Sequence, residues 1–175
     1  MTDAPDLLPD WSVDQWCNTP NSISLADLRG KGVVIEAFQM LCPGCVAHGL
    51  PLAQQVHDLF PREDGAVIGL HTVFEHHAAM TPVSLEASLH EYQITFPVGV
   101  DTAGKAALPV TMEHYGMRGT PSMLLVDHNG ALAAHYFGQI NTMKIGAEIA
   151  TLAHQGRATR KVEGGSNPET CDESG

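Results

Sequence analysis

Residues 38–51 read FQMLCPGCVAHGLP, and they join an apolar run to a segment with helical spacing. Upstream, VVIEAF (33–38) is apolar on both faces except at Glu36, the pattern of a central strand covered on both sides. Downstream, Val46, Leu50, Ala53, Val56 and Phe60 recur along one face, which predicts a helix to about residue 60. Pro43 suits the first turn of that helix, whereas Pro51 falls inside it and should kink it. Cys42 and Cys45 therefore stand at a strand-to-helix junction. Three chemistries fit two cysteines at this spacing: a metal clamp, a structural staple and a reactive pair.

Outward from the junction, GAVIGLHTV (65–73) reads as a second buried strand, SLEASLHEY (84–92) as a helix and TFPVGV (95–100) as a short strand. A brief helix is expected near 109–115. SMLLV (122–126) and ALAAHYF (131–137) form a hairpin across DHNG, where Asn129-Gly130 favours a tight turn. NTMKIGAEIATLAH (141–154) is a closing helix with Asn141 as its cap. Before the junction, ISLADLRGKG (23–32) suggests a short strand and turn. Residues 1–21, rich in Pro, Asp and Asn, read as an extended N-terminal arm held by Trp11 and Trp16. Residues 156–175 lose apolar periodicity and read as a disordered tail. The expected body, 22–155, is a three-layer α/β domain: a mixed central sheet flanked by helices, parallel strands first and an antiparallel hairpin last.

Composition narrows the function. The 175 residues are 43% hydrophobic and 17% charged, ordinary for a globular chain. Nine Lys and Arg against twenty Asp and Glu give a net charge of -11, which argues against nucleic acid and against anionic membranes. No apolar run is long enough to span a bilayer. MTDAPDLLPDWSVDQW carries four aspartates and no Lys or Arg, unlike a secretory signal, so a cytoplasmic location is expected. Four cysteines are few for a disulfide scaffold of this length.

The pair itself favours redox chemistry. A structural zinc site wants a second cysteine pair or two closely spaced histidines, and Cys17 and Cys171 are isolated. His71, His76 and His77 lie in HTVFEHH without helical i, i+4 spacing. At a helix entrance, by contrast, the first sulfur meets unpaired N–H groups and the positive end of the dipole. That setting favours thiolate, the nucleophile of disulfide exchange. Cys45, one turn on, lies close enough to resolve a mixed disulfide. Pro43 costs no hydrogen bond there, and Gly44 leaves the approach to Cys42 open.

The sequence resembles the thioredoxin superfamily, in particular its TlpA-like disulfide reductases within the redoxin (AhpC/TSA-like) group. The resemblance rests on ISLADLRGK before the first core strand, Cys42-Pro43-Gly44-Cys45, Pro51, FPVGVD (96–101) and RGTPSMLLVDHNG (118–130). It implies a cis peptide before Pro121, with Thr120 and Pro121 aligning a substrate chain beside the cysteines, next to Pro43 and Gly44. It also implies a buried acid beneath the pair, here Glu36, exchanging a proton with Cys45. Many relatives carry Trp before the first cysteine; this chain has Leu41, and Met40, Leu41 and Met117 are candidates for an apolar rim.

The expected activity is a thiol–disulfide oxidoreductase with Cys42 as nucleophile, Cys45 as resolving thiol and Glu36 as proton carrier. No cofactor is required. The expected partners are protein or small-molecule disulfides and a redox donor such as a thioredoxin or glutathione system. A peroxiredoxin-like peroxidase is a rival, although its Pro-x-x-x-Thr-x-x-Cys positions hold Ile35 and Gln39 here. A thioredoxin-fold module binding copper or zinc through both sulfurs is another.

Overall fold

The computed structural model describes residues 7–164. Its centre is β2 (Gly32–Phe38), in which all seven residues are buried. Hydrogen bonding on both sides and apolar cover on both faces explain why this run tolerates so little polarity. β3 (Gly65–His71) pairs with β2 in parallel, and β5 (Ser122–Val126) pairs with it antiparallel. β4 (Val98–Asp101) continues the parallel side, and β6 (Leu132–Phe137) closes the antiparallel side. β1 (Val13–Cys17) adds antiparallel to β4, so the sheet runs β1-β4-β3-β2-β5-β6. This is the mixed sheet of an α/β thioredoxin-like fold.

Alternate residues of β2 feed two cores. Val34 and Phe38 face α1 (Leu50–Leu59), α2 (Pro82–Glu91) and α4 (Thr142–Gly164), with Ala53, Leu85, Phe96 and Ile145 fully buried among them. Val33, Ile35 and Ala37 face the other layer, built from α3 (Val110–His114), Trp11 and Leu25. Glu36 occurs between Ile35 and Ala37, so the period of two turns it toward the first core. Asp101 ends β4 and accepts from the N–H groups of Thr111 (2.9 Å) and Met112 (3.0 Å), fixing α3 at its N-terminus.

Several boundaries differ from the sequence expectations, each for a tertiary reason. The N-terminal arm is not separate from the body: its residues 13–17 are β1, and Trp11 Nε1 donates to Ile23 O at 2.7 Å. VDQWC lacks a clear alternation, and its pairing is supplied by β4. The stretch 23–31 contains a single 3₁₀ turn, Ala26–Leu28, and no strand, and β2 begins at Gly32. The hairpin is not the tight turn expected from Asn129-Gly130. Only Gly130 of that dipeptide has positive φ (83°), and Asp127 Oδ1 accepts from Asn129 N and Ala131 N, both at 2.9 Å. A register slip at Leu125/Val126 takes up the extra residue, as in a turn followed by a bulge.

The largest difference is the tail. α4 does not stop near residue 154 but runs to Gly164; the rest of the expected tail, 165–175, lies outside the described residues. Gly156 acts here through size rather than as a helix terminator: a Cβ there would come within 2.8 Å of Gly30 O. Beyond it, Arg160 donates to Asp64 Oδ1 at 2.7 Å and also to Gly30 O, and Arg157 lies 3.4 Å from Asp64 Oδ2. The Asp64 side chain is only 4% exposed, so the two guanidinium groups compensate a carboxylate that the fold has removed from water. Asn141 caps the other end of α4, accepting from Met143 N (3.0 Å) and Lys144 N (3.1 Å).

Replacing both arginines tests this docking. Arg157→Ala/Arg160→Ala leaves Asp64 buried without a cation, and an equilibrium urea melt should show a loss of about 2–3 kcal/mol. A loss within about 0.5 kcal/mol, the size expected of an ordinary surface pair, would reduce the contact to decoration.

Candidate active site

The site begins where β2 ends. The Gln39 carbonyl accepts the Cys42 N–H at 3.0 Å, turning the chain out of the sheet, and the Cys42 carbonyl accepts Val46 N–H at 3.1 Å, starting a helix. Cys42 is thus the helix N-cap and Pro43 its first residue, where a missing N–H costs nothing. Cys45 N–H donates to Cys42 Sγ at 3.3 Å, the bond that a Ser or Asp side chain makes from an N-cap position. The spacing of the two cysteines therefore also builds the cap.

The next turn is irregular in a way the sequence only partly announces. Residues Cys45–Gly49 are π-wound, with Leu50 N–H reaching Cys45 O, and α1 follows with Pro51 in its first turn. Pro51 has no N–H to offer the carbonyl four residues back, so the chain widens ahead of it. The expected kink at Pro51 is realised as this widened turn. Gly49 is buried within it, against β2. A Cβ at Gly49 would collide with Glu36 Oε1 and come within 3.0 Å of Pro121 Cβ.

The Thr120–Pro121 peptide is cis. Cys42 Sγ lies 3.5 Å from the Thr120 carbonyl, as donor to it. Pro121 packs its ring on the helix start, where a Cβ at Gly44 would meet Pro121 Cδ at 3.2 Å. Gly44 therefore serves close packing against Pro121, rather than an open approach to Cys42. Pro43 is exposed beside Leu41. Leu41 is 55% exposed, but Met40 and Met117 belong to the two cores, so only Leu41 of the anticipated rim faces solvent.

The two cysteines differ sharply. Both are free thiols; Cys42 is partly exposed and Cys45 is completely buried. Burial pushes the Cys45 thiol up, and its hydrogen bond with Cys42 pushes the same way, while the Gln39 main chain and the Thr120 side chain oppose the rise. Glu36 is 1% exposed, and its Oε1 has no hydrogen-bond partner among the described residues. Burial holds its carboxyl well above the usual carboxylate range, and the neighbouring Cys42 adds to the rise. Glu36 lines a cavity of about 180 Å³ with Gly49, Pro121, Gln55, Gln139 and Thr142. That volume is enough for several waters where polar partners exist.

The structure thus brings together Glu36, Cys42, Cys45, Gly44, Thr120 and Pro121, with Pro43 on the rim. Two nearby buried polar residues escaped the sequence reading. His71, at the end of β3, is 1% exposed and accepts Met40 N–H on Nε2 at 3.4 Å. Gln39 is equally buried and bonds Phe74 and Glu75. Among the described residues, no group of three His, Cys, Asp or Glu side chains is close enough to hold a metal ion.

Comparison with known proteins agrees with this geometry. The AhpC/TSA family model matches residues 5–135. A solved structure of a thioredoxin-like superfamily protein shares 61% identity, covering 86% of this chain and 97% of that one, with a TM-score of 0.83. A thiol-disulfide isomerase from Corynebacterium glutamicum shares 44% identity, covering 87% and 98%, with a TM-score of 0.81. The thiol-disulfide oxidoreductase ResA of Bacillus thuringiensis (strain Al Hakam) is 24% identical over 117 residues, 67% of this chain and 61% of that relative.

Two substitutions probe the packing around Glu36. Gly49→Ala inserts a methyl group between Glu36 and Pro121, and overpacking of this kind costs about 1–3 kcal/mol; an unchanged denaturation midpoint would contradict the contact. Glu36→Gln probes ionisation. A raised carboxyl stabilises the fold fully only below its ordinary value of 4.5, and that contribution is lost as pH rises through the folded-state value. The glutamine chain should therefore gain stability relative to the parent as pH climbs from 4 to 8, by about 1.4 kcal/mol per tenfold difference in proton affinity. Paired melts across that range give the answer, and a difference independent of pH would mean that Glu36 ionises as freely folded as unfolded.

Proposed function

The chain belongs to the AhpC/TSA family within the thioredoxin superfamily, and from that premise we propose that it is a thiol–disulfide oxidoreductase that reduces protein disulfides through Cys42 and Cys45. The observation that carries this reading is the asymmetry of the pair: an accessible sulfur at a helix cap, backed by a buried thiol one turn away. Cys42 attacks one sulfur of the substrate disulfide; a Cys42–substrate bond forms, and the other substrate sulfur leaves and takes a proton. Cys45 then attacks Cys42 Sγ. The Cys42–Cys45 disulfide forms as the Cys42–substrate bond breaks; Glu36 in its carboxylate form accepts the Cys45 proton, and the leaving substrate sulfur takes a proton from solvent. Two thiols are oxidised and one substrate disulfide is reduced.

Thr120 and Pro121 are proposed to align the substrate. The Thr120 carbonyl, 3.5 Å from Cys42 Sγ, supports that reading, because a main chain presenting its sulfur to Cys42 would come close to it. A thiol donor of the thioredoxin or glutathione type would return the pair to the dithiol form, and in a cytoplasmic setting the net direction would be reductive. The C. glutamicum relative is described as an isomerase and the B. thuringiensis relative as an oxidoreductase; both activities use this attack and differ in whether the second step completes.

Trapping separates the roles. Reduced and then incubated with labelled insulin whose disulfides are intact, Cys45→Ser should accumulate a mixed disulfide at Cys42, seen by mass spectrometry, and lose turnover at least a hundredfold. Cys42→Ser should form none. Equal trapping by both variants would reverse or abolish the assignment.

A further inference from the structure

β4 is shorter than the strand it pairs with. Its ladder to β3 begins with Gly69 N–H donating to Pro97 O at 2.9 Å. The next rung toward the start of β3 would need the N–H of residue 97, and proline has none. Residues 65–68 therefore have no strand on that side, although β2 pairs with all four of them on the other. The sheet is left with a notch below β4.

The notch opens into a cleft of about 180 Å³. Residues 65–68 form one side of it. Val56 and Phe60 of α1, Ile149 of α4, Leu28 and the Pro97 ring form the rest. All of these side chains are apolar. An apolar cavity of about 150 Å³ accepts benzene, so this cleft has room for about six to eight carbons.

Three polar residues complete the lining, and all three are basic: Lys31, His57 and Arg62. Asp and Glu outnumber Lys and Arg in the chain by twenty to nine, yet among the described residues no acidic side chain lines the cleft. Asp64, next to β3, is already occupied by Arg157 and Arg160. Among the described residues neither Lys31 nor Arg62 takes part in an ion pair. His57 packs edge-on to Phe96, with ring centroids 6.0 Å apart. Burial and the nearby Arg62 lower its pKa, with Asp58 opposing, so near neutrality its ring is uncharged. The rim thus carries two unpaired cations above a hydrocarbon floor. Sites of this kind hold a ligand by its apolar body and orient it through a few polar groups.

We propose that the cleft is a binding site for a medium-chain alkyl carboxylate, its tail in the notch below β4 and its carboxylate at Lys31 and Arg62. β2 and β3 begin here and run toward the cysteine turn at their far ends. The site is therefore separate from the thiol chemistry and does not rest on it. A peptide strand added to the open edge of β3 is the competing occupant, and it would require neither an anionic head nor a particular tail length.

Isothermal titration calorimetry of the full chain with sodium octanoate, kept below its micellar range, tests the proposal. Saturable one-to-one binding is expected. From butanoate to octanoate, each added methylene should tighten Kd about fourfold. 1-Octanol, the same tail without the charge, should bind about fivefold more weakly than octanoate. Lys31→Met/Arg62→Met should weaken octanoate by a similar factor, about fivefold, and leave octanol unchanged. Ala66→Leu puts a larger side chain into the cleft and should abolish binding of both. Should Ala66→Leu fail to fold, the chain-length series and the rim pair decide the matter. Absence of saturable octanoate binding, an affinity indifferent to chain length, or equal binding of octanol and octanoate would each overturn the proposal. Octanoate binding that survives in a folded Ala66→Leu chain would also overturn it, because the ligand would then lie elsewhere.

Discussion

Glu36 constrains the rest of the site. A carboxyl group midway along a strand covered on both faces is costly to ionise, and among the described residues none offers its Oε1 a hydrogen bond to offset that cost. Everything adjacent to it is shaped by the need to approach closely. Gly49 has no side chain where one would strike the carboxyl, Pro121 closes the same space, and the π-wound turn brings Gly49 there. The proline that widens the helix, the glycine inside it and the acid on the strand are consequently one arrangement. Altering any of them changes the surroundings of Cys45, because that residue opens the widened turn.

The same arrangement separates two sulfurs that are only three residues apart. A helix entrance lies at the surface, so its cap residue is accessible, while the residue one turn later points back into the core. Cys42 is consequently open to a partner and Cys45 is closed to everything except Cys42 and the groups around it. In the proposed exchange, access alone sets the order: an incoming disulfide would meet Cys42 first. The buried thiol is costly to ionise, and in the proposed exchange the second step would call on the groups around it, Thr120 and Glu36 among them.

Local chemistry made much of this legible in the sequence. An apolar run with a single acid, a cysteine pair at its end and a proline just after the first cysteine identify the junction, because each residue type has a backbone consequence within one or two turns. The resemblance carried by Gly119-Thr120-Pro121 added the segment that packs opposite. What escaped was decided by distant partners. β1 exists because β4 offers an edge, and nothing within VDQWC signals that edge. The second half of α4 was read as a tail because Gly156 and the charged residues after it look like an ending. In the fold, Gly156 permits contact with Gly30, and Arg157 and Arg160 find Asp64, some ninety residues earlier in the chain.

Gln39 and His71 show the same limit at the site itself. In sequence, Gln39 registered only as a position lacking the threonine of a peroxidase, and His71 as one of ten scattered histidines. Their significance comes from the parallel register of β2 and β3, which sets Phe38 opposite His71 and so carries both strands to their ends side by side. Two loops leaving adjacent strand ends are free to diverge, and a reactive turn mounted on one of them would inherit that freedom. Buried polar ties oppose divergence in a way that apolar packing does not, because a hydrogen bond specifies direction as well as proximity. Functional residues on short loops are held by a rigid scaffold, and here the scaffold reaches the cysteine turn through an amide and an imidazole at the ends of β2 and β3.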